Sequence, residues 1–154
     1  MKTRFHLAAL AVALSLAGCA GVMYGDGPMA QARLEATRGN AVSGLVTFQQ
    51  QGQQVTAHAK VEGLKPGQEH GFHIHEKGDC SSGDGMSTGG HFNPTGKPHG
   101  AQDADHHAGD LPALKADGNG RADMRFHVTG IAVGSGATDI VGKGLIVHAM
   151  PDDY

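Results

Sequence analysis

The sequence predicts an all-β domain, an antiparallel sandwich or barrel. Three observations carry that reading. From residue 31 onward, short runs alternate apolar with polar residues, the period of a half-buried strand. Helical periodicity is scarce over the same span. Gly supplies 25 of the 154 residues, and clusters of turn-forming residues divide the chain into about seven such runs.

The first segment lies outside that fold. Lys2 and Arg4 precede an apolar run from Leu7 to Leu16 that is too short to span a bilayer and ends in small residues, so residues 1–18 read as an export signal. The tetrapeptide Leu16-Ala17-Gly18-Cys19 looks like a bacterial lipobox, in which Cys19 is lipidated and becomes the new N-terminus. Residues 19–30 have no period and several breakers, and read as a flexible tether reaching on the order of 15 to 20 Å. The expected location is the periplasm or cell envelope, on a membrane through the lipid anchor.

The domain itself, residues 31–154, is expected to begin with a strand over residues 32–37. The Arg38-Gly39-Asn40 turn leads to a second from Ala41 to Gln49. After Gln51-Gly52-Gln53, Val55, Ala57, Ala59 and Val61 alternate with polar partners in a third. Lys65-Pro66-Gly67 turns the chain into a fourth strand from His70 to His75. Leu114 to Asp117 and Arg121 to Val128 flank Asp117-Gly118-Asn119-Gly120, a hairpin signal because Gly and Asn tolerate positive φ. Asp139 to Ala149 is the last strand, and its Leu145-Ile146-Val147 run suggests burial. Residues 76–112 show almost no pattern, and so long a stretch inside a small domain calls for a functional or stapling explanation.

Composition excludes several classes. With 12 Lys plus Arg against 15 Asp plus Glu the net charge is −3, so no basic field gathers nucleic acid. Removal of residues 1–18 deletes Lys2 and Arg4 and no acid, leaving 10 bases against 15 acids, a charge of −5. No Gly-rich phosphate loop with its Lys occurs, and no Gly-x-Ser-x-Gly nucleophile elbow.

The histidines carry the chemistry. Of 11 His, most fall in or beside the irregular stretch. His73 and His75 are two apart on a strand and so share a face, with Cα atoms about 7 Å apart, a geometry that lets two imidazoles hold one ion. His91, His99 and His107 follow at equal intervals, with Asp110 just beyond. Three imidazoles and a carboxylate suit tetrahedral zinc. His148 ends the last strand and joins the His73 and His75 pair if the strands are neighbours. Several imidazoles without a thiolate suit a copper that changes oxidation state, while zinc or nickel fits by ligand type alone.

The runs Gly71-Phe72-His73-Ile74-His75-Glu76-Lys77-Gly78-Asp79-Cys80, Gly90-His91-Phe92-Asn93-Pro94, His107-Ala108-Gly109-Asp110-Leu111-Pro112 and Gly144-Leu145-Ile146-Val147-His148 resemble the copper/zinc superoxide dismutases in their bacterial exported form. The resemblance spans residues 31–154. It implies a Greek-key, immunoglobulin-like antiparallel β-sandwich or barrel with a long metal-binding loop. It implies one copper cation per subunit on His73, His75, His91 and His148, and one zinc cation on His91, His99, His107 and Asp110. His91 is then a bridging imidazolate and the catalytic proton carrier. Asp152 matches a carboxylate that links His73 to His99. His106 rivals His107, and the spacing to Asp110 favours His107. His58, His70 and His127 match no ligand position and are expected to be ordinary surface or sheet histidines. The implied reaction is dismutation of superoxide to oxygen and hydrogen peroxide. Expected partners are superoxide, a membrane through the anchor, no nucleic acid, and a second copy in a homodimer.

The resemblance stops at Tyr154, where family members continue for about another strand. That strand carries the disulfide partner of Cys80 and an Arg beside copper, and here the only cysteines are Cys19 and Cys80 and no Arg follows Arg125. Three expectations follow: a longer natural protein, a slower and less stable dismutase, or a periplasmic copper/zinc-binding protein with little or no turnover.

Overall fold

A computed structural model of the chain describes residues 27–154. The export signal, Cys19 and the tether as far as residue 26 lie outside the described residues. Eight strands follow in order: β1 (Met29–Leu34), β2 (Ser43–Gln51), β3 (Gln54–Glu62), β4 (Glu69–His70), β5 (Phe72–His75), β6 (Leu114–Lys115), β7 (Ala122–Val128) and β8 (Gly144–Val147). No α-helix occurs among the described residues, and one 3₁₀ turn spans Met86–Thr88.

The strands form an antiparallel sheet in the order β1-β2-β3-β7 and two antiparallel pairs, β4-β6 and β5-β8. The alternation read in β3 holds: Val55, Ala57, Ala59 and Val61 are buried, while Thr56, His58 and Lys60 face outward. Val46 and Phe48 of β2 and Phe72 and Ile74 of β5 meet them from either side. Phe72 packs edge to face on Phe126, with centroids 6.4 Å apart. Burial of each large side chain stabilises the domain by roughly 1.5 to 3 kcal/mol. The sheets do not close into a barrel among the described residues. An apolar groove of about 250 Å³, lined by Ala30, Phe48, Ile74, Ile140 and Leu145, lies between β1 and β8.

Four expectations are corrected. β1 starts at Met29, inside the expected tether, because β2 runs on through its glutamines: Gln50 N donates to Pro28 O (2.9 Å) and Gln49 Nε2 to Gly27 O (2.6 Å). The strand expected from His70 to His75 breaks at Gly71, since β4 pairs with β6 whereas β5 pairs with β8. The final strand covers only Gly144–Val147; residues 139–143 form a turn in which Asp139 Oδ1 accepts from the backbone of Gly134 and Val141. Leu145, Ile146 and Val147 are half-buried rather than buried, because β8 pairs on one side only among the described residues.

The turn expected at residues 117–120 forms, but the flanking strands do not pair as a hairpin, because β6 pairs with β4 and β7 with β3. Asp117 Oδ1 accepts from the backbone of Asn119 and Arg121, and Gly120 takes φ +73°, where a Cβ would overlap Leu64 O.

Candidate metal centre

β5 and β8 set the first cluster. Their antiparallel register places Phe72 opposite Val147 and His75 opposite Gly144, and His148 N donates to Gly71 O (2.8 Å) just beyond the last pair. His148 therefore arrives beside the rings of His73 and His75, with centroids 4.7 and 5.7 Å away.

The irregular stretch docks on the other side of β5. Phe92 N donates to Ile74 O (2.8 Å), Ile74 N to Gly109 O (2.8 Å) and Glu76 N to Gly90 O (2.9 Å). These bonds pair His91 with His75 and Asp110 with His73 as isolated bridges. The approach is close enough that a Cβ on Gly109 would overlap Ile74 O. The loop's order thus comes from backbone pairing to β5, which no side-chain periodicity reveals.

Ligand-type atoms of His73, His75, His91 and His148 lie within 4.8 Å of one another, as do those of His73, His91, His99 and Asp110. His73 and His91 belong to both sets, and His91 is the one turned toward Asp110. Nδ1 of His91 lies 2.9 Å from Asp110 Oδ1, leaving Nε2 for the first set. His99 Nδ1 sits 3.0 Å from Asp110 Oδ2, and His107 Nδ1 sits 3.2 Å from Asp110 Oδ1 and 3.4 Å from His91 Nδ1. His107 therefore adjoins the second set without entering the tighter group. His106 turns away, its Nδ1 donating to Ala104 O (2.8 Å).

Hydrogen bonds behind the rings decide which nitrogen faces inward. Asp152, with a side chain 3% exposed, accepts from His73 Nε2 (2.6 Å) on one oxygen and from His99 Nε2 (2.8 Å) on the other. His75 Nδ1 donates to Gly89 O (2.8 Å). Those donations leave His73 Nδ1 and His75 Nε2 bare, and both are buried without a partner, as is His148 Nε2. Buried polar atoms rarely lack partners. Three converging bare imidazole nitrogens and a fourth from His91 fit a copper or zinc ion. On the other side several imidazole nitrogens face one carboxylate, the donor set zinc takes.

Electrostatics match. Burial, and then the like charges of His73, His75 and His91, pull His148 down to about 4 from its ordinary 6.5. Burial likewise lowers His73 and His75. These rings stay neutral and able to donate lone pairs. Burial opposes ionisation of Asp110, but hydrogen bonds from His91 and from the His107 and Gly100 backbone outweigh it and hold the carboxyl well below its ordinary range. Burial also works against charge on His99, and its bonds to Asp152 and Asp110 overcome this and raise it. The ring of Tyr154 stacks on His99, 5.7 Å between centroids.

His70 is the sheet histidine of that expectation, lying in β4; it is 4% exposed, and its Nδ1 donates to His148 O (2.8 Å), bracing the backbone of a cluster member. His58 and His127 lie on the outer sheet face beside Asp123 and Thr56. Cys80 is exposed and unbonded among the described residues. A cleft of about 410 Å³ opens onto the clusters, lined by Gly71, His73, His91, His99, His148 and Met150 among others.

Comparison with known proteins agrees. The family model described as copper/zinc superoxide dismutase (SODC) matches residues 42–154. The Cu-Zn superoxide dismutase 2 of Brassica juncea is 47% identical over 114 residues, 72% of this chain and 72% of that protein. The crystal structure of the clock protein EA4 superposes with a TM-score of 0.72 at 37% identity, covering 84% of this chain and 79% of that one. With two imidazole-rich clusters that share His73 and His91 beside the β5-β8 pair, the chain belongs to the copper/zinc superoxide dismutase family, oxidoreductases that bind copper and zinc and dismutate superoxide.

Proposed function

We propose that His91 is shared between the two metals. Copper would be held by His73 Nδ1 and by Nε2 of His75, His91 and His148, and zinc by Nδ1 of His91, His99 and His107 with Asp110. His73 and His91 both belong to the two clusters; the observation that carries this is that Asp152 occupies the second nitrogen of His73, at 2.6 Å, whereas His91 turns Nδ1 to Asp110, at 2.9 Å, and keeps Nε2 for the first cluster. When bound, copper supplies one-electron redox chemistry, and zinc supplies charge without redox change.

The protein's own groups manage position and protons. Two superoxide anions and two protons give oxygen and hydrogen peroxide. His91 Nε2 would take up a proton in the half of the cycle in which it does not hold copper and give it to the nascent peroxide in the other, and the second proton would come from solvent. Asp110 Oδ1, 2.9 Å from His91 Nδ1, orients the opposite edge of the ring before zinc binds. Asp152 ties His73 to His99, so neither ring turns without the other. The open cleft admits a small anion to the rings.

The test is superoxide turnover per bound copper in the metal-loaded protein and in His91→Ala. Loss of a positioned proton carrier is expected to lower turnover on the order of 10²-fold or more. Wild-type turnover no better than that of free copper, with both metals retained, would overturn the reading and favour a metal-binding protein.

We also propose that the protein is exported and anchored through Cys19 as a lipoprotein of the periplasm or cell envelope. The charged start, the apolar run Leu7 to Leu16 and the Leu-Ala-Gly-Cys tetrapeptide support this.

A further inference from the structure

We infer that Thr88 is a positioning residue for His75, setting the plane in which the ring presents its bare Nε2; the inference rests on the copper assignment proposed above. Thr88 ends the Met86–Thr88 turn and is fully buried. Its hydroxyl has one hydrogen to give. Gly85 O, 2.6 Å away, can only accept, so that hydrogen goes to Gly85. The same Oγ1 lies 3.1 Å from His75 Nδ1 and faces it with lone pairs alone. Nδ1 must therefore carry the ring's hydrogen. Gly89 O, the other neighbour of Nδ1 at 2.8 Å, is also only an acceptor.

Two acceptors from one turn thus share a single N–H; the Gly89 carbonyl cannot reverse its role, and the Thr88 hydroxyl reverses its own only by giving up Gly85 O. A lone carbonyl would fix the tautomer but leave the ring free to rock about that bond. The second acceptor sets the ring plane as well. Thr88 is itself held: Lys77 N donates to Thr88 O (2.9 Å), and the flanking glycines take φ +89° at Gly85 and +76° at Gly89. Its methyl fills the space above Gly144, where a Cβ would come within 2.9 Å of Cγ2. One side chain therefore touches β8 through its methyl and the β5 histidine through its oxygen.

Thr88→Val keeps the shape and removes the hydroxyl, whereas Thr88→Ser keeps the hydroxyl and removes the methyl. Copper(II) affinity is read by competition with a chromophoric chelator, the copper environment by its electron paramagnetic resonance spectrum, and zinc affinity as a control. Thr88→Val is expected to bind copper about tenfold or more weakly with a changed spectrum. Thr88→Ser should restore both, and zinc affinity should stay unchanged. Wild-type copper affinity and spectrum in Thr88→Val, or equal losses in both variants, overturn the inference while leaving the copper assignment standing. Failure of the wild-type protein to take copper on these histidines overturns both. If Thr88→Val does not fold, Thr88→Ala and Thr88→Ser, which both lack the methyl and differ in the hydroxyl, decide: weaker copper binding with a changed spectrum in Thr88→Ala alone supports the role, and equal behaviour of the two overturns it.

Discussion

His148 shows at a single residue how the site makes stability depend on acidity. Its folded-state value, down to about 4, lies below the ordinary 6.5, so as pH falls the unfolded chain takes up the proton first. The metal-free protein keeps its full stability above 6.5 and loses it progressively as pH falls through the window from 6.5 to 4. The shift corresponds to at most about 3 kcal/mol, less what solvent screening of a half-buried ring removes. His73 and His75 act in the same direction, and His99, whose value is raised, partly opposes them. The urea midpoint of the metal-free protein is expected to be lower at pH 5 than at pH 7, and equal midpoints would contradict this account. The sequence made the His73, His75 and His148 association legible because strand spacing sets a shared face. It hid His70, whose bond joins a backbone carbonyl 78 residues away and leaves no local pattern.

At the level of elements, β3 was legible because both its faces are set by burial, with Val and Ala inward and Thr, His and Lys outward. The break at Gly71 was not, because β4 and β5 are contiguous in sequence and differ only in which partner each chooses. Residues 76–112 gave no pattern because their anchors are backbone bonds to β5 and side chains turned toward the clusters. That division has a measurable consequence. The four-stranded sheet is held by its own ladder and core, whereas the loop's ordering draws on metal binding as folding free energy. Chelation of both metals is expected to speed amide hydrogen exchange at Phe92, Gly109 and Asp110 by about tenfold or more and to leave Val46, Ala57 and Ala59 nearly unchanged. Uniform acceleration across both regions would mean that the sheet depends on the metals as much as the loop does.

For the whole molecule, the proposed anchor converts a domain of mild negative charge into a surface-bound one. The mature protein is expected to begin at Cys19 and to carry acyl chains, which intact mass of material from its native source reads directly. A mature form without acyl mass, or one cleaved elsewhere, would contradict the anchor.

The pairing of β5 with β8 also bears on time. Asp110 lies 19 residues from His91, whereas Asp152 lies 79 residues from His73. Short loops close at less entropic cost and sooner than long ones. The zinc-side ligands can gather while most of the chain is still unordered, but the copper-side ligands meet only once β8 has docked beside β5. Copper capture therefore comes late in maturation, and its arrival reports that the chain ends of the centre have found each other.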